Sequence, residues 1–502
     1  MNRARVVVVP AVASAILVAV LLVGADATVA QQPVRSPLPH PVLTDGLKLV
    51  AGNSPFTVDC NGQQDGTNFR NSVVEPSVAS DPQNPSHLVG TWQQDRWSTG
   101  GASGVMTAVS MDLGRTWTSS SAAFSICTGG SFQRATDPWV TIAPDETVYQ
   151  SVLALNGSDS TTAILVSRSS DQGHSWGQPV TLIRHTPGND DKPTIAADPS
   201  DLRYAYAVWT GSTTGSGDQR ALLSRTTDGG NTWESARTIY DPGPNSQAYD
   251  NLITVLPDGT LADVFIWNTF QVNGQTSYAI IGSHDHGLTW SSPIVIATPQ
   301  LAGIIDTKTQ AYVRGGGPSV AVDPGSGAIY LVWEDGRFSG LQRDGIALSK
   351  STNGGVRWSA PAQVNQVPQV QAFTPSVAVS ADGTVAVTYY DFRKDTPDPN
   401  TLLTNYWRIT SSDGGQSWRE IPLAGPFDLT TAPVGEGGDY FIGDYEGLAA
   451  SGRSFLEFFV TTNGSPYSSS LFSTAAGRSG DIRSNGHVEV NLHPRRARLG
   501  GD

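Results

Sequence analysis

The chain has 502 residues, of which 15% are charged and 38% hydrophobic, a balance typical of a folded protein and not of a disordered one. Its 53 glycines and 32 prolines indicate many turns. The net charge of −14 argues against a nucleic-acid partner, because such partners require basic surfaces.

The first 30 residues are predicted to be an export signal. Arg3 and Arg5 precede an apolar run over 6–23, and small residues provide a cleavage site after Ala27 or Ala30. The apolar run is near the length of a membrane anchor, so a membrane contact is expected only if the segment is retained. The sequence thus predicts a secreted or extracytoplasmic protein, with a Pro-rich linker over 31–46.

The two cysteines, Cys60 and Cys127, come shortly before the first and second of the repeats described below. An even number of cysteines in an exported protein suggests a disulfide. If the two repeats are neighbours in space, a Cys60–Cys127 bridge is reasonable. Two unpaired thiols are the alternative.

Seven segments share a pattern of two short apolar strands joined by a turn, the second often ending in Trp or Tyr. These β-branched runs are bounded by Asp-Pro, Asp-Gly or Pro-Gly turns, which indicates strands, and no stretch past the signal keeps a helical period. We call the first residue of each hairpin its opening residue. The seven opening residues are Glu75, Asp137, Lys192, Asp250, Gly317, Thr374 and Asp444.

A second pattern, Ser/Thr-x-Asp-x-Gly-x-x-Trp, occurs six times between 110 and 418 at spacings of 57 to 68 residues, which is typical of a repeat architecture. The Asp side chain can bond backbone N–H groups ahead of it, the Gly takes a positive φ, and the Trp packs as an apolar plug. Each copy, termed a box here, is therefore predicted to be a structural hairpin corner. The third residues of the boxes are Asp112, Asp171, Asp228, Asp285, Asn353 and Asp413.

The boxes resemble the Asp box, or BNR repeat, of the sialidase-type β-propellers. The resemblance covers nearly the whole chain after the signal. It implies an all-β propeller of four-stranded blades, in which the boxes are structural and lie on the face away from the catalytic mouth. The ligand face would then carry the opening residues and the loops after each hairpin's Trp or Tyr.

Seven hairpins but only six boxes favour seven blades over the six of the sialidases. The strand 47–51 precedes the first hairpin as a fourth strand would, so it is expected to complete the last blade and close the ring. A six-bladed ring with one irregular addition is the alternative. A single domain is predicted over 47–493, with His487–His493 as a possible extra strand and a basic tail over 494–502.

The predicted ligand face is rich in carboxylates and arginines. Convergent carboxylates in a partly dry cavity repel one another, so one is expected to keep its proton and serve as a general acid. The alternative is a structural role, in which each carboxylate accepts hydrogen bonds from exposed backbone N–H groups. Besides the opening residues, the candidates for ligand binding are Asp191, Arg96, Arg134, Arg314, Arg337 and Arg393.

The resemblance implies three arginines on a sugar carboxylate, an Asp as acid/base, and a Tyr nucleophile activated by a Glu. On that basis Asp137 is the acid/base candidate, Tyr390 and Tyr445 are candidate nucleophiles, and Glu446 is their partner. The sequence departs from the family because Glu75 stands where the first arginine is expected. Moreover, Arg96, Arg337 and Arg393 each follow an aspartate by one or two residues. Each arginine could therefore form a local ion pair with that aspartate.

No metal-ligand spacing is found among the eight histidines, and no cofactor is expected, although Asn189–Asp191 and Asp241–Asp250 could bind calcium through oxygens. The predicted function is a secreted sialidase-like glycoside hydrolase acting on terminal sialic acid or a related glycan. The alternative is a non-catalytic propeller that binds a glycan or another extracellular ligand.

Overall fold

The computed structural model describes residues 46–214, 219–270 and 274–476. The predicted export signal, nearly all of the linker, the 487–493 strand and the basic tail lie outside these ranges. Within them, no helix is long and apolar enough to cross a membrane.

The described chain is made of antiparallel strands and three short 3₁₀ helices, which confirms the prediction of an all-β fold. The strands are β1 (Lys48–Ala51), β2 (Asn68–Ser80), β3 (Leu88–Trp97), β4 (Ala102–Ser110), β5 (Thr118–Ser120), β6 (Arg134–Ile142), β7 (Val148–Asn156), β8 (Thr161–Ser169), β9 (Val180–His185), β10 (Asp191–Ala197), β11 (Ala205–Gly211), β12 (Arg220–Thr226), β13 (Arg237–Tyr240), β14 (Ser246–Val255), β15 (Leu261–Thr269), β16 (Thr276–Ser283), β17 (Ile294–Ala297), β18 (Ser319–Val322), β19 (Ile329–Asp335), β20 (Gly345–Ser351), β21 (Ala362–Gln363), β22 (Ala372–Val379), β23 (Val385–Asp391), β24 (Leu403–Ser411), β25 (Arg419–Asp428), β26 (Gly447–Ser451), β27 (Ser454–Thr462) and β28 (Ser469–Ser473). The 3₁₀ helices are Ile126–Thr128, Arg337–Ser339 and Leu429–Thr431.

Consecutive strands pair in groups of four. The groups β10–β13, β14–β17, β18–β21 and β22–β25 are separate sheets, whereas β2–β5 and β6–β9 join through the single pair Ala102–Ala135 into one sheet of eight. In the remaining sheet β1 pairs with β28, with Lys48 opposite Ser473, beside β27 and β26. The first strands β2, β6, β10, β14, β18, β22 and β26 each contact the first strand of the next group, and β26 contacts β2.

The core lies between the faces of neighbouring sheets. Tyr206, Val208 and Leu223 of one sheet, for example, pack against Ile253 and Leu261 of the next. Each such side chain contributes about 1.5–3 kcal/mol when it leaves water. Apolar residues on both faces of the strands are therefore buried, which is why the hairpins read as continuous apolar runs.

The six boxes form the turns that link the third and fourth strands of six groups. In the first box the carboxylate of Asp112 accepts from the backbone N–H of Thr116 at 2.8 Å, and the Ser110 hydroxyl accepts from the N–H of Gly114 at 2.8 Å. The equivalent bonds occur in all six boxes. Gly114 has φ 79°, a conformation that favours glycine. The boxed residues thus stabilise turns.

Cys60 and Cys127 form a disulfide. The bridge links the segment between β1 and β2 to the 3₁₀ helix that follows β5. It therefore attaches the chain that leads out of the last sheet to the loop between the first two groups of strands.

Candidate functional site

The opening residues lie at a repeated irregularity of the first strands. Glu75, Asp137, Lys192, Asp250 and Thr374 all have φ between 47° and 56°, a left-handed conformation that is rare for residues other than glycine. The register of each strand shifts at the same point. Backbone of this kind costs about 1–3 kcal/mol per residue and clusters at active sites and ligand-binding sites.

Five opening residues line one cavity. They are Asp137, Lys192, Asp250, Gly317 and Asp444, and Trp139, Tyr445 and Glu446 complete part of the wall. The opening residues therefore converge as the sequence analysis expected, although they come from groups far apart in the chain.

Lys192 is the centre of the cavity's charge cluster. Its ammonium forms an ion pair with Asp444 and lies 3.5 Å from a carboxylate oxygen of Asp137 and 3.8 Å from one of Glu75. Burial opposes the charge on Lys192, but the three carboxylates outweigh burial and raise the pKa of the ammonium well above its usual value. Lys192 is therefore a permanent cation.

Asp137 and Asp250 are the carboxylates of the cavity that lack a hydrogen bond from any described residue. Asp137 forms an ion pair with Lys192. Burial raises the pKa of Asp250 to about 6, an effect that Lys192 partly offsets. Asp137 on β6 and Asp250 on β14 belong to the two first strands that contact β10, the strand of Lys192.

In Asp444, by contrast, both carboxylate oxygens have hydrogen-bond partners. Arg314 binds both of its oxygens, with Nε to Oδ1 at 2.7 Å and a terminal nitrogen to Oδ2 at 2.8 Å. Burial disfavours the ionised form, but Arg314 and then Lys192 outweigh it and lower the pKa of Asp444 well below its usual range. Asp444 is therefore an anion at every working pH.

Glu75 and Arg96 lie behind the lining residues. The side-chain amide of Gln93 donates to Glu75, and Arg96 donates to the side-chain oxygen Oε1 of Gln93 at 2.9 Å. Burial raises the pKa of Glu75 to about 8, and the charge of Lys192 partly offsets this effect. The guanidinium groups of Arg96 and Arg314 lie 4.6 Å and 4.8 Å from the centre of the Phe441 ring.

Asp191 is also beside the cavity cluster but is held by local contacts. It accepts from the backbone N–H of Lys192 at 3.0 Å and from the Tyr249 hydroxyl at 3.2 Å. Burial raises its pKa to about 7, with the charge of Asp137 adding to the effect. Its position indicates a role in holding the Lys192 backbone.

The structure does not place a Tyr–Glu nucleophile in the cavity. Tyr390 is hydrogen-bonded to Glu446 at 2.8 Å, but its ring is fully buried in the core and its hydroxyl also donates to the Val460 carbonyl. Tyr445 lines the cavity, yet its hydroxyl donates to the Pro138 carbonyl at 3.2 Å. Tyr390 is thus a packing residue here, and Tyr445 is a wall of the cavity.

Three of the five candidate arginines are bound elsewhere. Arg337 forms a two-point ion pair with Asp335, and Arg393 pairs with Asp391 and Glu420. These are the local ion pairs that the sequence allowed as an alternative. Arg134 bonds to the side chains of Gln64 and Thr99 and to backbone carbonyls, and it stacks on a Trp ring, so it ties loops together.

Sequence reasoning missed the roles of four contributors to the site. Lys192 was named only as an opening residue, although a lone cation among four carboxylates at equivalent positions was an available signal. Gln93 and Phe441 carry no comparable signal, because their role depends on how β3 and the 432–446 loop approach the first strands. Glu334 was also missed; its carboxylate accepts from the backbone of Gly316 and Thr374 and so fixes two opening segments.

Over the described ranges, no group of three or more His, Cys, Asp or Glu side chains is arranged to hold a metal ion. The Asp190 carboxylate accepts from Thr162 and the Trp209 indole and contacts His185.

Residues 201–433 match the family described as the BNR repeat-like domain. The match covers less than half of the chain and confirms the resemblance to the sialidase-like BNR-repeat superfamily. A xyloglucanase from Paenibacillus sp. is 25% identical over 315 residues, which is 57% of this chain and 26% of that protein. The chain therefore spans about a quarter of the length of that relative.

Among solved structures, an α-L-arabinanase of Penicillium chrysogenum in complex with arabinobiose is 14% identical, with a TM-score of 0.46 over 87% of this chain and 99% of that one. The NanB sialidase of Streptococcus pneumoniae is 13% identical, with a TM-score of 0.45 over 72% of this chain and 71% of that one. Scores below 0.5 leave the site to be argued from this chain's own residues.

Proposed function

We propose that the chain is a secreted propeller of seven four-stranded blades, closed by β1 in the last blade, and that its central cavity hydrolyses a glycosidic bond. The cyclic contacts of the seven first strands, including β26 with β2, support the closed ring. The convergence of opening residues from separate groups of strands on one cavity supports a site on the ring's axis.

The pair Asp137 and Asp250 carries the proposal. Glycoside hydrolysis by two carboxyl groups needs one that donates a proton to the leaving oxygen and one that stays ionised. Asp250, with a pKa of about 6, holds its proton in mildly acidic solution. Asp137 forms an ion pair with the ammonium of Lys192 at 3.5 Å. We therefore assign Asp250 as the acid and Asp137 as the base or nucleophile, a change from the assignment made on sequence alone.

A glycan is the substrate class that the surroundings favour. Trp139 and Tyr445 form an aromatic wall with ring centres 5.2 Å apart, beside the charged lining. Apolar walls with a few convergent polar groups are typical of small-molecule sites. The name of the matched relative, a xyloglucanase, points the same way.

A sialidase acting on terminal sialic acid is the second candidate. The two guanidinium groups of Arg96 and Arg314 against one Phe441 ring favour it, because arginine pairs bind carboxylates well. The engagement of Arg314 by Asp444 weighs against it.

The test is product release from a panel of chromogenic glycosides and polysaccharides that includes an arabinofuranoside, xyloglucan and a sialoside. Wild type is compared with Asp250→Asn and with Asp335→Asn, a matched change in a buried ion pair at the end of β19, outside the cavity lining. Turnover that is lost in Asp250→Asn and kept in Asp335→Asn supports the proposal. Absence of turnover together with glycan binding by the wild type would instead make the protein a non-catalytic binding propeller.

A further inference from the structure

The cavity contains a binding position for a carboxylate, and the chain's own Asp444 fills it. The Arg314 guanidinium offers two parallel N–H donors to the two oxygens, the geometry with which arginine recognises a free carboxylate. The Lys192 ammonium pairs with one of the same oxygens. A cationic fork and an ammonium therefore converge on one point of the cavity wall.

The position is held in place on both sides. The backbone N–H of Gly317 donates to the Asp444 carbonyl at 2.8 Å, and that of Arg314 donates to the Tyr440 carbonyl at 2.9 Å. The 298–318 and 432–446 loops are thus joined next to the ion pair. Arg314 is further fixed by the Phe441 ring. The receptor for a carboxylate is consequently preorganised and would not need to form on ligand binding.

The charge of the cavity lining is already balanced around Lys192. Asp137 and Asp444 both face this ammonium, and Asp250 interacts with it. A ligand that brought another carboxylate would meet these anions and would find Arg314 occupied. Like charges in a partly dry site disfavour such a ligand strongly.

We infer that Asp444 is an internal carboxylate that occupies the anion-binding position between Arg314 and Lys192 and restricts the cavity to uncharged glycans. This inference rests on the proposed function and excludes its sialidase form. It also assigns a latent site: without the Asp444 side chain, Arg314 and Lys192 would bind a small external carboxylate.

The test is chemical rescue of Asp444→Ala by acetate, which restores the missing group, with acetamide as an uncharged probe of the same shape. We expect acetate to bind Asp444→Ala saturably, at least tenfold more tightly than it binds wild type, and to raise the midpoint of thermal unfolding, whereas acetamide does neither. The double variant Asp444→Ala/Arg314→Met should lose the acetate effect. Equal responses to acetate and acetamide, or an acetate effect that survives in the double variant, would overturn the inference.

A measurement on wild type keeps the inference testable if Asp444→Ala does not fold. Wild type should bind methyl glucuronide no more tightly than methyl glucoside at equal ionic strength, measured by ligand-observed NMR. Tighter binding of the glucuronide would refute the role given to Asp444. None of these binding experiments requires turnover, so a failure of the proposed hydrolysis can be told apart from a failure of this inference.

Discussion

Replacing Asp263 with leucine should make the protein more stable. Asp263 lies in the middle of β15, opposite Ile253 and Ile281, and it is fully buried. Neither carboxyl oxygen has a hydrogen-bond partner among the described residues. Burial alone raises the pKa of this carboxyl well above its usual value, so the folded protein keeps it neutral.

The magnitude follows from the cost of an unpaired buried polar group, about 1–3 kcal/mol in mutational data. Leucine has the same branched shape, so Asp263→Leu should raise the free energy of unfolding by about 2 kcal/mol below pH 3.8, where the carboxyl is neutral in both the folded and the unfolded protein. Above pH 3.8 the unfolded carboxyl ionises while the folded one does not. The gain should therefore grow as pH rises, by up to about 1.36 kcal/mol per pH unit, until the folded pKa is reached.

The assay is thermal unfolding of wild type, Asp263→Leu and Asp263→Asn at pH 5 and pH 8. Both variants should gain stability relative to wild type between the two pH values, and the leucine variant should be the more stable of the two at either pH. A lower unfolding temperature for Asp263→Leu, or a gain that shrinks as pH rises, would refute the reasoning.

Three further predictions concern the turns, the disulfide and the pH profile. Hydrogen bonds led by the Ser175 hydroxyl lower the pKa of Asp171 to about 2, so its stabilisation is present above pH 3.8 and is lost as pH falls through 2; Asp171→Ala should lower the unfolding temperature at pH 6 and have little effect at pH 2. Replacing both Cys60 and Cys127 by serine opens a link across 67 residues and should lower the free energy of unfolding by about 4 kcal/mol, as denaturant titration would show. With Asp250 as the acid, kcat/KM should decline above pH 6, and Asp250→Asn should lose that alkaline limb along with most activity; an unchanged limb would assign the proton to another group.

The repeat explains why much of the fold could be predicted from sequence. The boxes are recognisable in the sequence by Asp, Gly and Trp at fixed spacing. These residues stabilise the local turn, as the hydrogen bonds of Asp112 and Gly114 show. The convergence of the opening residues follows from the same period, because equivalent positions of stacked units lie on one face. At these positions the local turn preferences and the repeated arrangement of the strands favour the same structure, so the sequence pattern alone predicts the fold.

Which side chains contact one another in the cavity could not be predicted in the same way. Asp444 and Arg314 are 130 residues apart, and their ion pair depends on two long loops whose course no repeat dictates. The prediction that Tyr390 is a nucleophile in the cavity was wrong. Every residue of β23 is buried, so the alternation of side chains along this strand does not distinguish core residues from cavity residues. The pairs Asp335–Arg337 and Asp391–Arg393 were open to both interpretations, since a spacing of two allows a local ion pair as readily as a shared ligand.

The most direct test of the account compares kcat/KM for Asp137→Asn with that for Asp228→Asn, one change in the cavity and one in a box, on the best glycoside of the panel. The account predicts that Asp137→Asn loses at least about a hundredfold, while Asp228→Asn stays within a few-fold of wild type well below its unfolding temperature. Equal losses, or a larger loss in Asp228→Asn, would contradict a catalytic site in the central cavity.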